Sequence, residues 1–562
     1  MEYIIFAVVL MGIIVLLMIK GYLDYRRKEK EFKRKLRAEY GSLVQKEYTQ
    51  ERFLNISHYF EKHKEGFYID DITWNDLNMD QVFQQMNYTF SAAGEEYLYY
   101  TLRTPFMEED SLQQREEIIS YFQSHEEERV KCQFLFSRLG RTGKYSIYDY
   151  LDYLDDLGIR SNVKHYMALI AVLLGIGSLF IHLPTGLLVL VIVFIYNITS
   201  YFKDKSEIDP YITSFSYIFR LMDMVEKLYK IEVPVLHTEW ERLKQCVSKL
   251  NPFKRGSYLL MSPERMSGSS NPLEMILDYL RMILHLDLMK FNSMLSQVRK
   301  HIKEIDSMLT DVGMVETMIA IGAYRTGHPD FCIPEFTDKP VVEASELYHP
   351  LLHEPVKNDI HAKRSVLITG SNASGKSTFL KTVALNQILA QTVHTCMAAY
   401  YRAGMFRICS SMSLRDDLQG GDSYYMVEIK ALKRIIDEIH VEGKPVLCFV
   451  DEVLRGTNTV ERIAASTQIL KSLSEGRCLC FAATHDIELT HLLEGQYDNY
   501  HFEEEIASED ISFSFKLMSG RASTRNAIKL LGIMGYQEDI IQKAEKMAAD
   551  FVANGNWDIL TE

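Results

Sequence analysis

The chain has 562 residues and a mass of 65.2 kDa, with 47% hydrophobic and 25% charged residues. This length and mixture exclude a disordered or fibrous protein and leave room for about two to four domains. The 62 Lys and Arg residues against 76 Asp and Glu give a formal charge of −14, which excludes a basic field over the whole protein for binding nucleic acid. The 8 cysteines show no CxxC pair or zinc-ligand spacing, so we expect reduced thiols facing the cytosol.

An uncharged apolar segment, 3–19, lies near the N-terminus. A helix of its 17 residues reaches about 25 Å, close to the shortest length that crosses a bilayer core of roughly 30 Å. A secretory signal is the alternative, but Glu2 stands where a basic cluster is usual and no small-residue cleavage site follows. Basic residues follow instead, from Lys20 to Arg37, which predicts a membrane anchor whose N-terminus lies outside the cell.

The basic run from Lys20 to Arg37 has two interpretations. It could lie against anionic lipid headgroups, each basic residue contributing about 1 kcal/mol. It could instead hold DNA through salt-sensitive phosphate contacts. Lipid is favoured because the run begins where the apolar segment ends.

A second apolar block, 165–202, contains 38 residues without Lys, Arg, Asp or Glu. One helix of that length would span about 57 Å, far more than a single crossing needs. The sequence 182–186, HLPTG, supplies turn chemistry at its centre, which predicts a hairpin of two short membrane-spanning helices. A buried helical pair inside a soluble domain is the alternative, because each half has only about 16 residues. We expect three crossings in total.

A short β-branched run, 365–369, leads into a glycine-rich loop and then a helical segment. The loop has the pattern GxxxxGK[ST], in which backbone N–H groups and a helix N-terminus surround phosphates. We expect Lys376 to reach the β and γ oxygens of ATP and the Ser377 hydroxyl to bind Mg²⁺. The predicted nucleotide-binding residues of this segment are Gly370, Ser371, Asn372, Ala373, Ser374, Gly375, Lys376, Ser377 and Thr378.

Two further strands end in polar residues. The run 446–450 precedes Asp451 and Glu452, which places both carboxylates at the carboxyl end of a strand, where sites form in parallel sheets. We expect Asp451 to hold Mg²⁺ and Glu452 to orient or deprotonate the attacking water. The run 478–483 ends in Thr484 and His485, and a histidine there could sense the γ-phosphate; a hydrogen-bonded loop histidine is the alternative.

Between Lys376 and Asp451 stands 416–428, DDLQGGDSYYMVE, and the chain here resembles the MutS family of mismatch-repair ATPases. The segment 451–459, DEVLRGTNT, resembles the DE-x-x-RGTxT run of that family, and 483–489 resembles its ATH…EL element. Earlier and later segments are also similar to the family, so that the resemblance covers roughly residues 70–155 and 285–550. Those segments are 91–94 (SAAG), 349–350 (HP) and 520–523 (GRAS).

The resemblance implies roles for individual residues. Glu452, Lys376 and His485 would act in ATP hydrolysis, and Ser377 and Asp451 would hold Mg²⁺. Ser423 lies in the segment 416–428, the signature loop of the family, and would reach the γ-phosphate bound to a partner subunit. This role implies a homodimer in which each ATP site is composite, that is, built from residues of both subunits. Val356 stands where the family often has an aromatic residue packed on adenine.

We expect no counterpart of the family's mismatch-reading domain, because about 70 residues precede the core-like segment and the membrane segment and basic run occupy them. The clamp of the family, the part between its long lever helices, would fall within 203–278. The basic stretch 249–271 lies in this interval, and it is either a DNA contact or a solvated loop. The resemblance implies DNA as the ligand, in a branched or otherwise shaped form. The alternative is an ATP-driven membrane machine that acts on an unknown protein or lipid partner without DNA, and a transporter is disfavoured.

The predicted architecture is a C-terminal α/β P-loop NTPase domain joined to an all-α core and lever domain, with an N-terminal transmembrane helix and an inserted transmembrane hairpin. The predicted domains are a transmembrane anchor (1–20), a basic cytosolic linker (21–70), the helical core and lever (71–340, with the hairpin at 166–201) and the ATPase domain (341–562). We expect a multi-pass protein of a bacterial-type cell membrane, with its ATPase domain in the cytoplasm.

Overall fold

A computed structural model describes residues 2–42, 48–142, 146–156, 158, 160–254, 279–371, 374–412, 424–454, 458–507, 510–522, 528, 531 and 535–554. The chain divides into two compact units, each made of three segments. The first unit contains Met1–Lys64, Gln85–Tyr100 and Glu116–Gly327. The second contains Glu65–Gln84, Thr101–Arg115 and His328–Glu562.

The first part of the chain is helical. Its helices are α1 (Glu2–Ala38), α2 (Gln50–His63), α3 (Asp71–Asp76), α4 (Met79–Met86), α5 (Ala92–Arg103), α6 (Glu109–Ser124), α7 (Glu126–Leu139), α8 (Ile147–Asp156), α9 (Val163–Leu179), α10 (Leu183–Leu228), α11 (His237–Lys254), α12 (Leu286–Lys300) and α13 (Ile302–Gly327).

Strands and helices alternate in the later part. The elements are β1 (Glu335–Thr337), β2 (Val342–Leu347), β3 (Asn358–Ala362), β4 (Ser365–Thr369), α14 (Lys376–Val393), β5 (Tyr400–Gly404), β6 (Arg407–Ser411), α15 (Tyr424–Ile439), β7 (Val446–Asp451), α16 (Thr459–Ser474), β8 (Cys478–Thr484), α17 (Ile487–Leu492), β9 (Tyr497–Ala507), β10 (Asp510–Ser519) and α18 (Glu538–Asn554). A mixed α/β region thus follows a large helical region, as the sequence predicts.

Helix α13 is buried along most of its length and forms the centre of the first unit. Its Glu316 accepts hydrogen bonds from the Ser91 hydroxyl and from the Ser91 backbone N–H, the latter at 3.1 Å. A Cβ atom at Gly94 would lie 2.2 Å from Glu316 Oε2, so any larger residue would displace the Glu316 carboxylate from this position. The segment 91–94 therefore joins α5 to the central helix of the unit.

Helix α1 runs without a break from the apolar segment into the basic run. Lys33 Nζ lies 2.5 Å from Glu29 Oε1 and 4.7 Å from the centroid of the Phe134 ring. Arg37 forms ion pairs with Glu126 and Glu127 at 3.0 and 2.7 Å. The segment interpreted as a linker thus contains helix, and some of its basic residues form ion pairs within the first unit.

Helices α9 and α10 form the hairpin expected from the second apolar block. The turn lies at 180–182, and Pro184 sits in the first turn of α10, where its missing N–H costs nothing. The segment Leu183–Ile208 is long and apolar enough to cross a membrane, and 11% of its most apolar stretch is buried inside the protein. The helix Val163–Leu179 is also apolar, but it has only 17 residues and is shorter than a membrane-spanning helix usually is.

Helix α10 continues to Leu228, well beyond the predicted end of the hairpin at residue 201. The continuation has a buried apolar face in the helical repeat, which stabilises it against the rest of the first unit. The members of that face are Phe215, Ile218, Leu221, Met222, Val225 and Leu228. A single helix therefore joins the apolar hairpin to the packed core.

Two sheets organise the second unit. The first has the strand order β1-β5-β2-β3 and the second the order β10-β9-β4-β8-β7-β6. In the second sheet, strands β9, β4, β8, β7 and β6 are parallel, and β10 is antiparallel to β9. The carboxyl ends of the parallel strands consequently meet at one edge of the sheet, which is where ligands bind in open α/β folds.

Helix α3 contributes buried contacts to the second unit. Asp76, only 2% exposed, accepts hydrogen bonds from Ser410 Oγ at 2.7 Å and from the Met412 N–H at 2.9 Å. Asp70 caps α3 and forms an ion pair with Arg434 of α15, which also donates to the Ser410 carbonyl. Two aspartates of one short helix therefore hold the end of β6 and part of α15.

Replacement of Asp76 by Ala should destabilise the second unit by about 2–3 kcal/mol, because it leaves two buried donors without their acceptor. Trp74 lies on α3 and is 2% exposed, so its fluorescence changes when this part of the unit unfolds. Trp240 and Trp557, the other two tryptophans of the chain, are changed to Phe so that Trp74 alone gives the signal. The experiment is urea denaturation of the full chain in that background. Asp71→Ala, on the same helix but with a side chain that is 86% exposed, is the control and should cost less than about 1 kcal/mol. Equal losses in the two variants would contradict this assignment.

Candidate nucleotide-binding site

The glycine-rich loop begins at the end of β4, whose five residues are all buried. A Cβ atom at Gly370 would lie 2.8 Å from Ser374 Oγ and 3.0 Å from the Phe502 carbonyl oxygen. Gly375 has a φ of +105° and immediately precedes α14, which begins at Lys376. Both glycines are therefore required by the backbone, one by close approach and the other by its left-handed conformation.

Lys376 points back into the loop. It is 5% exposed, and its Nζ donates hydrogen bonds to the carbonyl oxygens of Gly370 at 2.8 Å and Ser371 at 2.7 Å. The Ser374 hydroxyl is also buried, and it has no hydrogen-bond partner among the described residues. Ser377 and Thr378 are exposed in the first turn of α14. The loop thus presents an ammonium group and hydroxyl donors around a helix N-terminus, the arrangement that binds phosphate.

The two acidic residues lie at the carboxyl end of β7, where the sequence predicts them. Asp451 is the last residue of β7 and is 8% exposed. Glu452 and Leu454 both have a φ of +59°, a conformation that is costly for residues other than glycine. The Glu452 N–H donates to the Ala483 carbonyl at 2.9 Å, and the Leu454 N–H donates to the buried carboxylate of Glu428. These bonds hold a strained backbone at the edge of the sheet.

His485 lies between the loop and the acidic turn. Its Nε2 is 2.7 Å from Glu452 Oε1 and 3.4 Å from Lys376 Nζ. The contact follows from the register of the sheet, in which Thr369 pairs with Thr484 and Ala483 pairs with Asp451. Lys376, Glu452 and His485, from three separate segments, are therefore adjacent.

An apolar cleft with a volume of about 280 Å³ adjoins the loop. Gly375, Thr378 and Phe379 line one side, and Val356 and Phe515 also contribute. The sequence did not identify Phe515. Its only signal is the alternation of Phe513 and Phe515 in β10, whose rings stack with centroids 5.7 Å apart.

His349 lines the same cleft and is 9% exposed. Its Nδ1 accepts a hydrogen bond from the Leu351 N–H at 3.2 Å, which leaves the proton of the neutral ring on Nε2. Burial, assisted by the positive charge of Lys381, lowers the pKa of His349 to about 4. The side chain is therefore neutral at pH 7.

Some predicted site residues lie outside the described part of the chain. They are Asn372 and Ala373 of the loop and Ser423 of the signature segment. The stretches 455–457 and 523–527, which belong to the resembling motifs, also lie outside it.

A search of the described residues finds no group of three or more His, Cys, Asp or Glu side chains that could hold a metal ion. The predicted Mg²⁺ ligands are one hydroxyl, Ser377, and one carboxylate, Asp451. Both are hard oxygen donors, and Mg²⁺ usually takes only one or two ligands from the protein and the others from phosphate and water. The donor set fits Mg²⁺ bound together with a nucleotide.

Comparison with known proteins identifies this region. Residues 366–552 match the family model of MutS domain V. The chain is 29% identical over 289 residues to MutS protein homolog 4 of Homo sapiens, covering 48% of this chain and 30% of that protein. It is 32% identical over 247 residues to the DNA mismatch repair protein MutS of Rickettsia bellii, covering 41% of this chain and 28% of that protein.

A third relative is the DNA mismatch repair protein MutS of Thermus thermophilus, which is 27% identical over 268 residues, covering 47% of this chain and 32% of that protein. The matched stretches therefore span less than a third of the length of each of these relatives.

The stability of the protein should fall as the pH is lowered from 6.5 towards 4. The unfolded His349 takes up a proton near its ordinary pKa of 6.5, whereas the folded one does so only near pKa 4, so the unfolded state binds more protons in this window. The contribution approaches about 3 kcal/mol at the acid end. Urea denaturation of His349→Asn should show a shallower pH dependence than wild type. His353→Asn, which removes an exposed histidine close by, should leave the slope unchanged, and a matching change there would contradict the assignment.

Proposed function

This chain belongs to the MutS family, and from that premise we propose that it is a membrane-anchored, dimeric ATPase that works as a conformational switch. The observation that carries the proposal is the convergence of Lys376, Glu452 and His485 beside the glycine-rich loop. An ammonium group, a carboxylate and an imidazole at the carboxyl ends of parallel strands are the groups that phosphoryl transfer to water needs.

ATP is the proposed substrate. Its phosphates would lie in the loop 370–377, where Lys376 supplies positive charge and the Ser374 hydroxyl supplies a donor that lacks a partner in the described residues. Its base would enter the adjoining cleft, where Phe515 and Phe379 offer aromatic surface and the neutral His349 offers a ring without charge. Ser377 and Asp451 would hold Mg²⁺, which neutralises charge on the phosphates when bound.

The residues of the chain divide the work of hydrolysis. Glu452 would orient the attacking water and accept its proton, since its carboxylate lies at the end of β7 beside His485, which is itself close to Lys376. Through its Nε2, which lies 2.7 Å from Glu452 Oε1, His485 would hold Glu452 in place or, in exchange for that contact, donate to a phosphate oxygen. Because His485 also lies near Lys376, it would register whether the lysine is bound to phosphate or to the loop carbonyls.

We infer a homodimer in which Ser423 of one subunit completes the site of the other. The support is the resemblance of 416–428 to the signature segment of the family. ATP would close such composite sites, and hydrolysis would loosen them.

DNA, mismatched or branched, is the proposed ligand, because the relatives include proteins named for DNA mismatch repair. The competing proposal keeps the ATPase and replaces DNA by a protein or lipid partner at the membrane. The net charge of −14 favours the competing proposal, as do the ion pairs that engage Lys33 and Arg37 of the basic run.

The membrane part of the proposal rests on the hairpin. Large apolar side chains are exposed along α9 and α10, and Phe180 and Ile181 at the turn are each 88% exposed. Such a surface is unfavourable in water and suits a bilayer. With the apolar segment 3–19, the chain would cross three times and leave the second unit and the rest of the first unit in the cytoplasm of a bacterial-type cell.

Replacement of Glu452 by Ala should lower kcat for ATP hydrolysis by about 10²–10⁴ fold while ATP still binds, because the water loses its base and the loop is intact. Steady-state hydrolysis and equilibrium binding of ATP to the detergent-purified protein measure the two effects. Glu475→Ala, an exposed glutamate at the end of α16, is the control and should hydrolyse ATP normally. Retained hydrolysis in Glu452→Ala would remove Glu452 from the mechanism.

The same Glu452→Ala protein, loaded with Mg-ATP, distinguishes the two ligands. It should stay dimeric and bind branched or mismatched DNA more tightly than roughly micromolar, with an affinity that falls steeply as salt increases. Titration with linear, mismatched and branched DNA over a salt series measures this. Absence of binding at low salt, with hydrolysis intact in the wild type, would favour the protein or lipid partner.

The crossing of the hairpin can be tested by cysteine labelling. Ile181→Cys at the turn should react with a membrane-impermeant maleimide in intact cells, since the turn would lie outside. Lys244 lies on α11 and its side chain is 60% exposed, so a cysteine at this position (Lys244→Cys) should react only after lysis. Labelling of both variants only after lysis would show that the hairpin does not cross.

A further inference from the structure

A polar cleft lies in the first unit and shares no residue with the nucleotide site. Its volume is about 240 Å³, and residues of α2, α5 and the segments on either side of 143–145 line it. The charged and hydroxyl residues that line it are Arg52, Glu95, Glu96, Arg141, Thr142 and Ser146. Charged and polar side chains line part of this cleft beside Ile56 and Ala92, so it can hold water or a polar ligand.

Two arginines converge at this cleft on a single carboxylate. Arg52 Nη2 lies 2.6 Å from Glu95 Oε1, and Arg141 Nε lies 3.2 Å from Glu95 Oε2. The Tyr48 hydroxyl and the Asn87 amide also donate to Glu95 Oε1, each at 2.8 Å. Glu95 is therefore amply compensated, and the two guanidinium groups leave an excess of positive charge.

The arginines are also held in place while remaining accessible. The guanidinium of Arg52 lies over the Tyr48 ring, 4.3 Å from its centroid. The side chains of Arg52 and Arg141 are 29% and 40% exposed. Guanidinium groups that are fixed by a shared carboxylate are prepared to bind an oxyanion without further ordering.

Glu96 supplies the second, independent observation. It is 4% exposed, its Oε1 accepts a hydrogen bond from Ser146 Oγ at 2.9 Å, and its Oε2 is buried without a partner among the described residues. Buried carboxyl oxygens are nearly always hydrogen-bonded, so an orphaned one on a residue that lines a cleft indicates a missing partner.

The charge state of Glu96 decides what that partner is. Burial raises the pKa of Glu96 well above its ordinary range, and the nearby carboxylates of Glu95 and Asp149 raise it further. Asp149 itself faces His58, whose Nδ1 is 2.9 Å away, and accepts from the Ser146 N–H. Glu96 is thus a neutral acid, which can donate its proton in a hydrogen bond to an anion.

We propose that this cleft is a binding site for a small molecule bearing an oxyanion, either a phosphate or a carboxylate group, held between Arg52 and Arg141 and hydrogen-bonded by Glu96. The site lies wholly within the first unit and does not depend on the proposed ATPase. Its volume suits a compact ligand, since clefts for larger organic ligands begin at about 300 Å³.

The test is calorimetric titration of the full-length protein in detergent with inorganic phosphate and, separately, with acetate at constant ionic strength. A non-hydrolysable ATP analogue and Mg²⁺, both saturating, occupy the nucleotide site so that its loop cannot account for the signal. We expect one saturable site. Arg52→Gln and Arg141→Gln should each weaken binding by about tenfold, whereas Lys244→Gln, which removes one exposed charge from the same unit, should change it by less than about twofold.

Glu96 provides a second pair of variants. Glu96→Gln retains a donor of the same shape and should keep binding within about threefold, whereas Glu96→Leu should weaken it by about tenfold. Saturation by phosphate alone, or by acetate alone, would identify which oxyanion the site takes. Absence of a saturable signal with both anions would overturn the proposal and leave a cleft filled with water. Equal affinities of Arg52→Gln and Lys244→Gln would do the same.

Discussion

The parallel pairing of β8 with β4 on one side and β7 on the other is the constraint on which the candidate site depends. It aligns the ends of three strands, so that a loop lysine, a carboxylate and a histidine come together although the lysine and the histidine are 109 residues apart in the chain. A shift of one residue in this register would turn every side chain of a strand to the opposite face. The strained backbone at Glu452 and Leu454 is tolerated because hydrogen bonds to Ala483 and Glu428 hold it in this register.

Local sequence was sufficient to predict those three strands and their polar ends. The predicted strand 365–369 agrees with β4, and the predicted runs at 446 and 478 agree with β7 and β8 to within a residue or two. Each strand is a short apolar run followed by polar residues whose chemistry is specific. The approach of His485 to both Glu452 and Lys376 also follows, since the carboxyl ends of neighbouring parallel strands must meet.

The apolar cleft beside the glycine-rich loop and the buried contacts of α3 could not be predicted in this way. The cleft is assembled from β2, β3, α14 and the β9–β10 hairpin, and residues such as Phe515 look like ordinary strand residues where they stand. Asp70 and Asp76 look like a helix cap and a solvent-facing acid, and only the fold brings Ser410 and Arg434 to them. Likewise, the Pro and Gly at 184 and 186 predicted the turn of the hairpin. The extension of α10 to Leu228 could not be predicted, because it depends on the burial of the apolar residues between Phe215 and Leu228.

Segments of the two units alternate along the chain, and this order affects folding during synthesis. Synthesis delivers Glu65–Gln84 and Thr101–Arg115 early, yet both belong to the unit whose sheets come from His328 onward. More than 200 further residues are synthesised after Arg115 before the strands of that unit emerge, so the buried residues of α3 lack these partners until then. A fragment that starts at the first strand would lack them and would expose the end of β6 that Asp76 covers, so no contiguous piece of the gene encodes the sheet unit by itself.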